Sequence, residues 1–394
     1  MKTKFTFLIL VCFFLVSKAF SQEELKYSVF DNTPINFGGE KGKDSSVVRL
    51  QNGRIIYKKI TVPKFLNGTD VKIKLTLRSN GDRWDKSGSC FVVTHPDEIS
   101  ILNVSKGEKQ FPKGSNISDK FKGVLASKNY KPTIELLRFM TPFGVGYYSD
   151  NKVKYRRPVY IPKWEKEVYW EQDISPLSSI VTGTFYVGVW VDSWTKEGYS
   201  IDLSFSYSNR TRKKLKIIPL VNTIAYVEGQ SYPDFFATST LKTNFELKKD
   251  VKNAKLYYTV TGHGGHSGGD EFIKIKNSIF FDKTLVLDTI PWRDDCASFR
   301  RFNPSSGVWL KKDSVSYLDV KSKTYKIKEI EERIASSDLS RSNWCPGSKI
   351  QPLIIELGDL RVGKHTLEII IPATKAGENK FNHWLVSNYI TFED

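Results

Sequence analysis

The sequence of 394 residues lacks any long apolar run after its first twenty residues. Because a helix that crosses a bilayer needs about 20 mainly apolar residues, no integral membrane segment is predicted beyond that point. The sequence also lacks a basic helix, a Cys/His finger and a Gly-aromatic RNA-binding stretch. The sequence has 60 Lys and Arg against 43 Asp and Glu, a formal net charge of +17. This excess therefore indicates a solvated basic surface that favours contact with anionic surfaces, rather than a specific nucleic-acid site.

Residues 1–21 have the composition of a Sec-type signal peptide. Lys2 and Lys4 precede an almost wholly apolar run at 5–16, and a small-x-small cleavage site follows. We expect cleavage after Ser21 and a secreted or periplasmic protein.

Cysteines are few, and three of the four would remain after this cleavage. Disulfides persist in exported proteins. Cys296 and Cys345 both lie in turn-rich sequence and are the favoured pair. Their bridge would close a loop of about 50 residues, worth about 4 kcal/mol in the chain-entropy model. Cys90 precedes apolar residues and is predicted to be a free, buried thiol.

Helical periodicity is almost absent. Only 325–335, with Ile at 327, 330 and 334, is predicted to form a helix. Alternation of apolar and polar residues predicts strands at 71–77, 185–191, 201–207, 256–260 and 272–275. Many short strands with almost no helix predict an all-β fold built from antiparallel sandwiches.

The chain is long enough for two domains at roughly 100 to 200 residues each. A polar, basic run at 208–216 separates apolar stretches and is predicted to be the linker. The predicted domains are residues 22–212 and 213–394, each of a size for one antiparallel sandwich of about eight strands. Residues 96–132 are rich in Lys, Ser, Asn and Gly without alternation, and predict an inserted functional or mobile loop in the first domain.

Four segments interleave charged side chains with aromatic or glycine residues. A carboxylate beside an indole can bind a sugar, because the indole ring covers the apolar face of the sugar and the carboxylate accepts hydrogen bonds from the sugar hydroxyl groups. In the segment at 80–86, a backbone-capping role of Asp82 or Asp85 is the alternative interpretation. Seven residues spread over both halves predict a cleft between domains that binds a small molecule or glycan: Trp84, Asp85, Asp192, Trp194, Glu271, Arg341 and Trp344.

The order and spacing of these motifs resemble the bacterial peptide-N-glycosidase F family, secreted amidases that remove N-linked glycans from glycoproteins. The resemblance rests on motifs at 29–31, 82–85, 138–146, 192–194, 218–221, 261–264, 271, 296, 303–309, 341–347 and 384–387.

The resemblance implies two tandem eight-stranded antiparallel jelly-roll sandwiches, packed side by side with the active site between them and no metal or other cofactor. It implies Asp85 as the principal catalytic carboxylate, with Glu271 and Asp192 as acidic partners. It also implies a disulfide between Cys296 and Cys345. The implied substrate-binding residues are Arg341, Trp84, Trp194, Trp344 and Lys86. The implied partners are N-linked glycoproteins and glycopeptides as substrate, and the protein is expected to be a monomer that binds no nucleic acid.

The implied reaction hydrolyses the amide between asparagine and the innermost N-acetylglucosamine. Asp85 would activate or position water, and Glu271, with a raised pKa, would protonate the leaving nitrogen. The chain departs from the family pattern at Lys86, where well-known members carry Arg, and at Asp192, where they carry Glu. The cysteines that bracket the acid at Glu271 in the family are also absent.

Two other classes of function fit parts of the sequence. A non-catalytic glycan-binding protein could keep the fold without turnover, although Asp85 and Glu271 are both present. A copper-dependent peptide monooxygenase with paired jelly rolls could use His263 and His266 as ligands. However, a two-copper site of five His and one Met would need all five His and Met140.

Overall fold

The computed structural model describes residues 24–65, 67–112, 122–146, 161–224, 235–264, 269–374 and 382–394. The predicted signal peptide lies outside the described residues. Within these ranges, no helix has the length and apolar character needed to cross a membrane.

Among its described residues, the first half of the chain forms nine strands and one short α-helix, α1 (Ile101–Val104). The strands are β1 (Leu25–Ile35), β2 (Val48–Leu50), β3 (Ile55–Thr61), β4 (Gly68–Ser79), β5 (Ser87–Val93), β6 (Ile134–Met140), β7 (Val168–Asp173), β8 (Thr184–Val191) and β9 (Tyr199–Arg212).

The second half contributes eleven strands among its described residues. They are β10 (Lys216–Asn222), β11 (Leu241–Leu247), β12 (Val251–His263), β13 (Asn277–Phe281), β14 (Thr284–Thr289), β15 (Val308–Asp319), β16 (Thr324–Ala335), β17 (Lys349–Ile350), β18 (Leu353–Leu360), β19 (Gly363–Ile370) and β20 (His383–Glu393).

The first sandwich packs the sheet β1-β9-β4-β7 against the sheet β17-β6-β5-β8-β3-β2. The inward residues of β4, among them Ile73 and Leu75, are fully buried. The alternate residues Lys72 and Lys74 face out and pair with Glu171 on β7. This alternation between core-facing and solvent-facing residues produced the sequence pattern from which the strand was predicted.

The second sandwich packs β10-β20-β12-β18 against β11-β19-β13-β14 around a separate core. Without β2 and β17, the first sandwich also has eight strands, so the predicted fold of two antiparallel eight-stranded sandwiches is confirmed. Strand β9 continues to Arg212 and β10 begins at Lys216. Most of the basic run at 208–216 is therefore strand, and only three residues separate the two sandwiches.

Four of the five predicted strands are confirmed, in β4, β8, β9 and β12. The prediction at 272–275 is wrong, because Asp270–Phe272 forms a 3-10 turn. The Ser342 hydroxyl donates to the carbonyls of Asp270 (2.6 Å) and Ile273 (3.1 Å), and the Ser342 N–H donates to the Glu271 carbonyl (2.9 Å). These bonds occupy carbonyls that a strand would use, and they fix the position of Glu271.

The predicted helix at 325–335 is also wrong. This segment is strand β16, which pairs with β15 along its whole length. Successive strand residues alternate between faces, so Ile327 and Ile330 lie on opposite faces of the hairpin. Their spacing resembled one face of a helix only because both faces of the hairpin carry apolar residues.

The predicted loop at 96–132 contains no strand among its described residues 96–112 and 122–132. Part of it joins the second sandwich: the Ala126 N–H donates to the Leu220 carbonyl (2.8 Å), and the Asn222 N–H donates to the Val124 carbonyl (2.9 Å). The loop thus connects the first sandwich to the edge of β10.

A buried ion pair joins the two sandwiches. Arg138 on β6 donates two hydrogen bonds to Glu135, at 3.0 and 2.8 Å. Arg138 also donates to the Leu385 carbonyl of β20 (2.6 Å), and the Ser387 hydroxyl donates to Glu135 (2.5 Å). Nearby, β17 from the second half pairs with β6 of the first. The two halves are therefore held together by both backbone and charged side-chain contacts.

We expect Arg138→Met to lower the free energy of unfolding by about 3 to 5 kcal/mol, because it leaves the Glu135 carboxylate buried without its cation. The matched control is Arg78→Met, which breaks half-exposed ion pairs with Glu167 and Asp202 and should cost about 1 kcal/mol or less. Urea unfolding measures both values. Equal effects of the two substitutions would contradict the role assigned to the buried pair.

Candidate functional site

The loop that carries Asp85 is held rigidly by buried polar groups. The fully buried Asp82 accepts hydrogen bonds from the Trp84 backbone N–H (3.1 Å) and the Ser193 hydroxyl (2.8 Å). The Tyr199 hydroxyl donates to the Trp84 carbonyl (2.8 Å). Asp82 is therefore the carboxylate that caps the backbone, as the alternative interpretation of this segment anticipated.

A buried arginine brings carboxylates from the two halves together. The Arg341 side chain is 2% exposed, and its Nε donates to Glu271 Oε1 at 2.8 Å. Arg341 Nη2 lies 3.8 Å from Asp85 Oδ2. The Asp85 and Glu271 side chains remain partly accessible, at 17% and 15%. The structure thus groups three of the predicted site residues at the junction of the sandwiches.

The remaining surroundings of Arg341 fix its orientation. Its Nη1 donates to the Leu339 carbonyl (2.7 Å), and its Nη2 donates to the Ser336 carbonyl (2.8 Å). Its Cζ lies 4.8 Å from the Trp344 ring centroid and 5.2 Å from that of Phe272. A guanidinium this close to two aromatic rings gains cation–π attraction.

Trp344 packs against the Arg341 guanidinium and is almost fully buried. Its indole N–H donates to the Gly262 carbonyl (2.8 Å) of β12. The next residue, Cys345, forms the predicted disulfide with Cys296. Because its ring is buried against Arg341, Trp344 does not offer an exposed face for a sugar. The third cysteine of the described residues, Cys90, is free and buried as predicted.

Burial raises the pKa of Glu271 from 4.5 to about 7. The nearby negative charge of Asp85 adds to the rise, whereas the positive charge and hydrogen bond of Arg341 oppose it. The adjacent Asp270 has a different role: it is fully buried and accepts a hydrogen bond from the Trp384 indole (2.9 Å). Of these two neighbouring acids, only Glu271 belongs to the candidate site.

Asp192 contacts the side chains of Trp194 and Arg54. Its Oδ1 accepts a hydrogen bond from the Trp194 indole (3.1 Å) and lies 3.4 Å from Arg54 Nη1. The Arg54 guanidinium lies over the Trp194 ring at 4.2 Å, and Phe37 packs against the same ring at 5.2 Å between centroids. Neither Arg54 nor Phe37 was identified from the sequence, because neither lies beside a carboxylate–tryptophan motif.

Two of the predicted tryptophans remain half-exposed, Trp84 and Trp194. Trp84 packs edge-on against Phe143 at 6.5 Å. Lys86 is held through its backbone, which exchanges hydrogen bonds with Thr141. Exposed indole faces near carboxylates can cover the apolar face of a sugar ring.

His263, one of the two histidines considered as copper ligands, is buried at the end of β12. It stacks on His383 (4.9 Å) and Trp344 (5.4 Å). Burial lowers the pKa of His263 well below its usual value, with further lowering by the charges of His383 and Arg138. His266 lies outside the described residues. Within the described ranges, no group of three or more His, Cys, Asp or Glu side chains is arranged to hold a metal ion.

Comparison with known families adds independent evidence. Residues 26–207 match the family model described as peptide-N-glycosidase F, N terminal, and residues 231–391 match the model described as peptide-N-glycosidase F, C terminal. The chain belongs to the peptide-N-glycosidase F family. The family resemblance inferred from the motifs is thereby confirmed. None of the curated proteins compared with the chain matches it.

Solved structures of this family share the fold. A structure of PNGF-II is 33% identical with a TM-score of 0.80, and the comparison covers 94% of this chain but 66% of that one. The chain thus spans slightly less than two thirds of the PNGF-II chain. PNGase F, a glycosylasparaginase from Flavobacterium meningosepticum, is 15% identical with a TM-score of 0.60, and 94% of this chain and 96% of that chain are covered. At that identity, the likeness to PNGase F is one of fold.

The raised pKa of Glu271 predicts a pH-dependent stability. The folded protein holds a proton on Glu271 that the unfolded chain releases above pH 4.5, so this contribution is present at low pH and is lost as the pH rises through about 7. Between pH 5 and pH 8, Glu271→Gln should therefore gain stability relative to the parent protein, by up to about 3 kcal/mol. Urea unfolding at several pH values measures the difference. Parallel pH curves for the parent and Glu271→Gln would contradict it, and the exposed Glu246→Gln is the control for the loss of one carboxylate.

Proposed function

We propose that the protein is a secreted peptide-N-glycosidase. It hydrolyses the amide bond between asparagine and the innermost N-acetylglucosamine of N-linked glycans, leaves aspartate in the peptide and releases the glycan as a glycosylamine. The observation that carries the proposal is the pair of partly accessible carboxylates, Asp85 and Glu271, held from opposite halves on the buried Arg341. Membership of the peptide-N-glycosidase F family supports it.

Amide hydrolysis needs a group that accepts a proton from water and a group that supplies one to the leaving nitrogen. A carboxyl group with a pKa of about 7 is partly protonated at neutral pH, so Glu271 suits the second role. Asp85 takes the first role and activates or positions the water. Two carboxyl groups in different surroundings can divide the acid and base roles in this way.

Arg341 acts as the positioning residue in this scheme. An arginine side chain has five N–H groups, and three of those of Arg341 donate to Glu271, Leu339 and Ser336. The remaining N–H groups can stabilise Asp85 and a substrate oxygen. The guanidinium thus offsets the repulsion between the two carboxyl groups and fixes their separation.

The half-exposed rings of Trp84 and Trp194 supply surfaces for the first sugars of the glycan. Asp192 and Lys86 offer an acceptor and a donor beside these rings. The natural substrate in this proposal is an N-linked glycoprotein or glycopeptide, and the reaction needs no metal.

Incubation of the mature protein with a denatured N-glycoprotein in ¹⁸O-labelled water, with EDTA present, should convert the glycosylated Asn to labelled Asp. Asp85→Asn should lower kcat by about 10² to 10⁴, because it removes the group that activates water. The exposed Glu98→Gln is the control for loss of one carboxylate. Mass spectrometry of the peptide and glycan reads out both results.

Two outcomes would contradict this prediction. Retention of one N-acetylglucosamine on Asn would identify an endoglycosidase on this fold. Binding of glycan without release, before and after Asp85→Asn, would identify a non-catalytic glycan-binding protein.

The pH dependence of activity tests the role of Glu271 separately. If Glu271 donates a proton, kcat/KM should fall as the pH rises above about 7, because the carboxyl group becomes ionised. Glu271→Gln should lose most activity and abolish this decline in the residual rate. A parent profile that stays flat from pH 6 to pH 9 would reject Glu271 as the acid.

A further inference from the structure

Strands β15 and β16 form a long two-stranded arm. They pair in one continuous register from Val308↔Ala335 to Asp319↔Thr324, and a turn at 320–323 closes the arm. Twelve residues at about 3.3 Å each give a length of about 40 Å. An isolated two-stranded hairpin is marginally stable in water, so an arm of this length suggests a partner.

The base of the arm is suited to water and to contact with the second sandwich. Trp309 lies against Phe272, with ring centroids 5.8 Å apart. Farther along, Lys312 lies opposite Glu331, a pair of opposite charges. Charged cross-strand pairs of this kind keep a strand edge soluble.

The tip of the arm has the opposite character. Val320, Tyr325 and Ile327 are 81%, 77% and 76% exposed, the highest values for any large apolar residue in the described chain. Leu318 lies directly opposite Tyr325, so its exposed side chain shares a face with it. Folding within this chain does not account for such exposure, because these side chains would be buried if they served the core.

Positive charge surrounds these apolar residues. Lys321, Lys323, Lys326 and Lys328 lie within eight residues of sequence. One of them, Lys326, pairs with Asp319, and Lys328 Nζ lies 5.4 Å from the Tyr317 ring on the other face of the arm. The tip therefore combines an apolar face with an excess of lysine.

We propose that the tip of this arm docks the protein on an anionic lipid surface. Apolar and aromatic side chains would enter the boundary between headgroups and acyl chains, while the flexible lysine side chains would contact the anionic headgroups. This combination matches the chemistry of a lipid interface on both counts. A polypeptide partner carries negative charge only where it has Asp or Glu side chains, whereas an anionic lipid surface presents negative charge over the whole area that the tip covers. The inference does not depend on the proposed enzymatic activity.

Sedimentation of the mature protein with vesicles tests the proposal. Vesicles of phosphatidylcholine with 30% phosphatidylglycerol should bind the protein, and pure phosphatidylcholine vesicles should bind it much more weakly. The triple variant Val320→Ser, Tyr325→Ser, Ile327→Ser should reduce partitioning to the anionic vesicles at least tenfold. Lys321→Gln should reduce it by about fivefold, the effect of one lysine near an anionic surface.

The matched control is Leu285→Ser, Ile354→Ser, Val362→Ser, which removes three exposed apolar side chains from other parts of the second half. This control should bind the vesicles as the parent protein does, and circular dichroism checks that both triple variants are folded. Equal loss in the control would overturn the proposal, since binding would not depend on the tip. Absence of parent binding to anionic vesicles would also overturn it.

A cleavage assay distinguishes a polypeptide partner from a lipid surface. If the triple tip variant cleaved a denatured glycoprotein more slowly than the parent protein but cleaved a short glycopeptide at the normal rate, the arm would be assigned to substrate polypeptide instead.

Discussion

Burial of the Arg341 guanidinium is the constraint on which the candidate site depends. A charge removed from water is costly unless it is paired and hydrogen-bonded. Glu271 accepts a hydrogen bond from this guanidinium, and Asp85 adds a second negative charge from the other half of the chain. The backbone carbonyls of Ser336 and Leu339 and the rings of Phe272 and Trp344 complete the surroundings. The same interactions that offset the cost of burying this arginine also bring two partly solvent-exposed carboxyl groups together.

This arrangement requires the two sandwiches to stay in one relative position, because Asp85 and Glu271 belong to different halves. The segment that follows Arg341 provides much of that rigidity. Its disulfide at Cys345 ties it to Cys296, and four residues later β17 joins the sheet of the first sandwich beside β6. The buried pair of Glu135 and Arg138 on β6 then contacts β20. One short stretch of chain thus holds the arginine and locks the sandwiches together.

The sequence predicted best what depends on local pattern. Alternation identified β4 and β8, since both have one face against a core, but it failed for β16, whose two faces are both solvated and carry apolar residues in no strict alternation. The residue types of the site were also predictable, because carboxylates beside tryptophan are a local signal. The contacts of Arg54 with Asp192 and of Glu135 with Ser387 were not, since each joins residues more than 130 positions apart. Likewise, nothing local distinguishes the buried Trp344 from the half-exposed Trp194.

The neighbouring side chains of Glu271 and Asp192 also indicate different roles for these two acidic residues. The largely buried position of Glu271 and the nearby charge of Asp85 both raise its pKa, which favours its protonated form and suits proton donation. Asp192 instead accepts a hydrogen bond from the Trp194 indole, and its carboxylate lies beside the Arg54 guanidinium. We therefore infer that Asp192 acts as a hydrogen-bond acceptor for sugar hydroxyl groups beside the exposed Trp194 ring. On this assignment, the replacement of Glu by Asp at this position changes how far the acceptor reaches and leaves the chemistry of the reaction to Asp85 and Glu271.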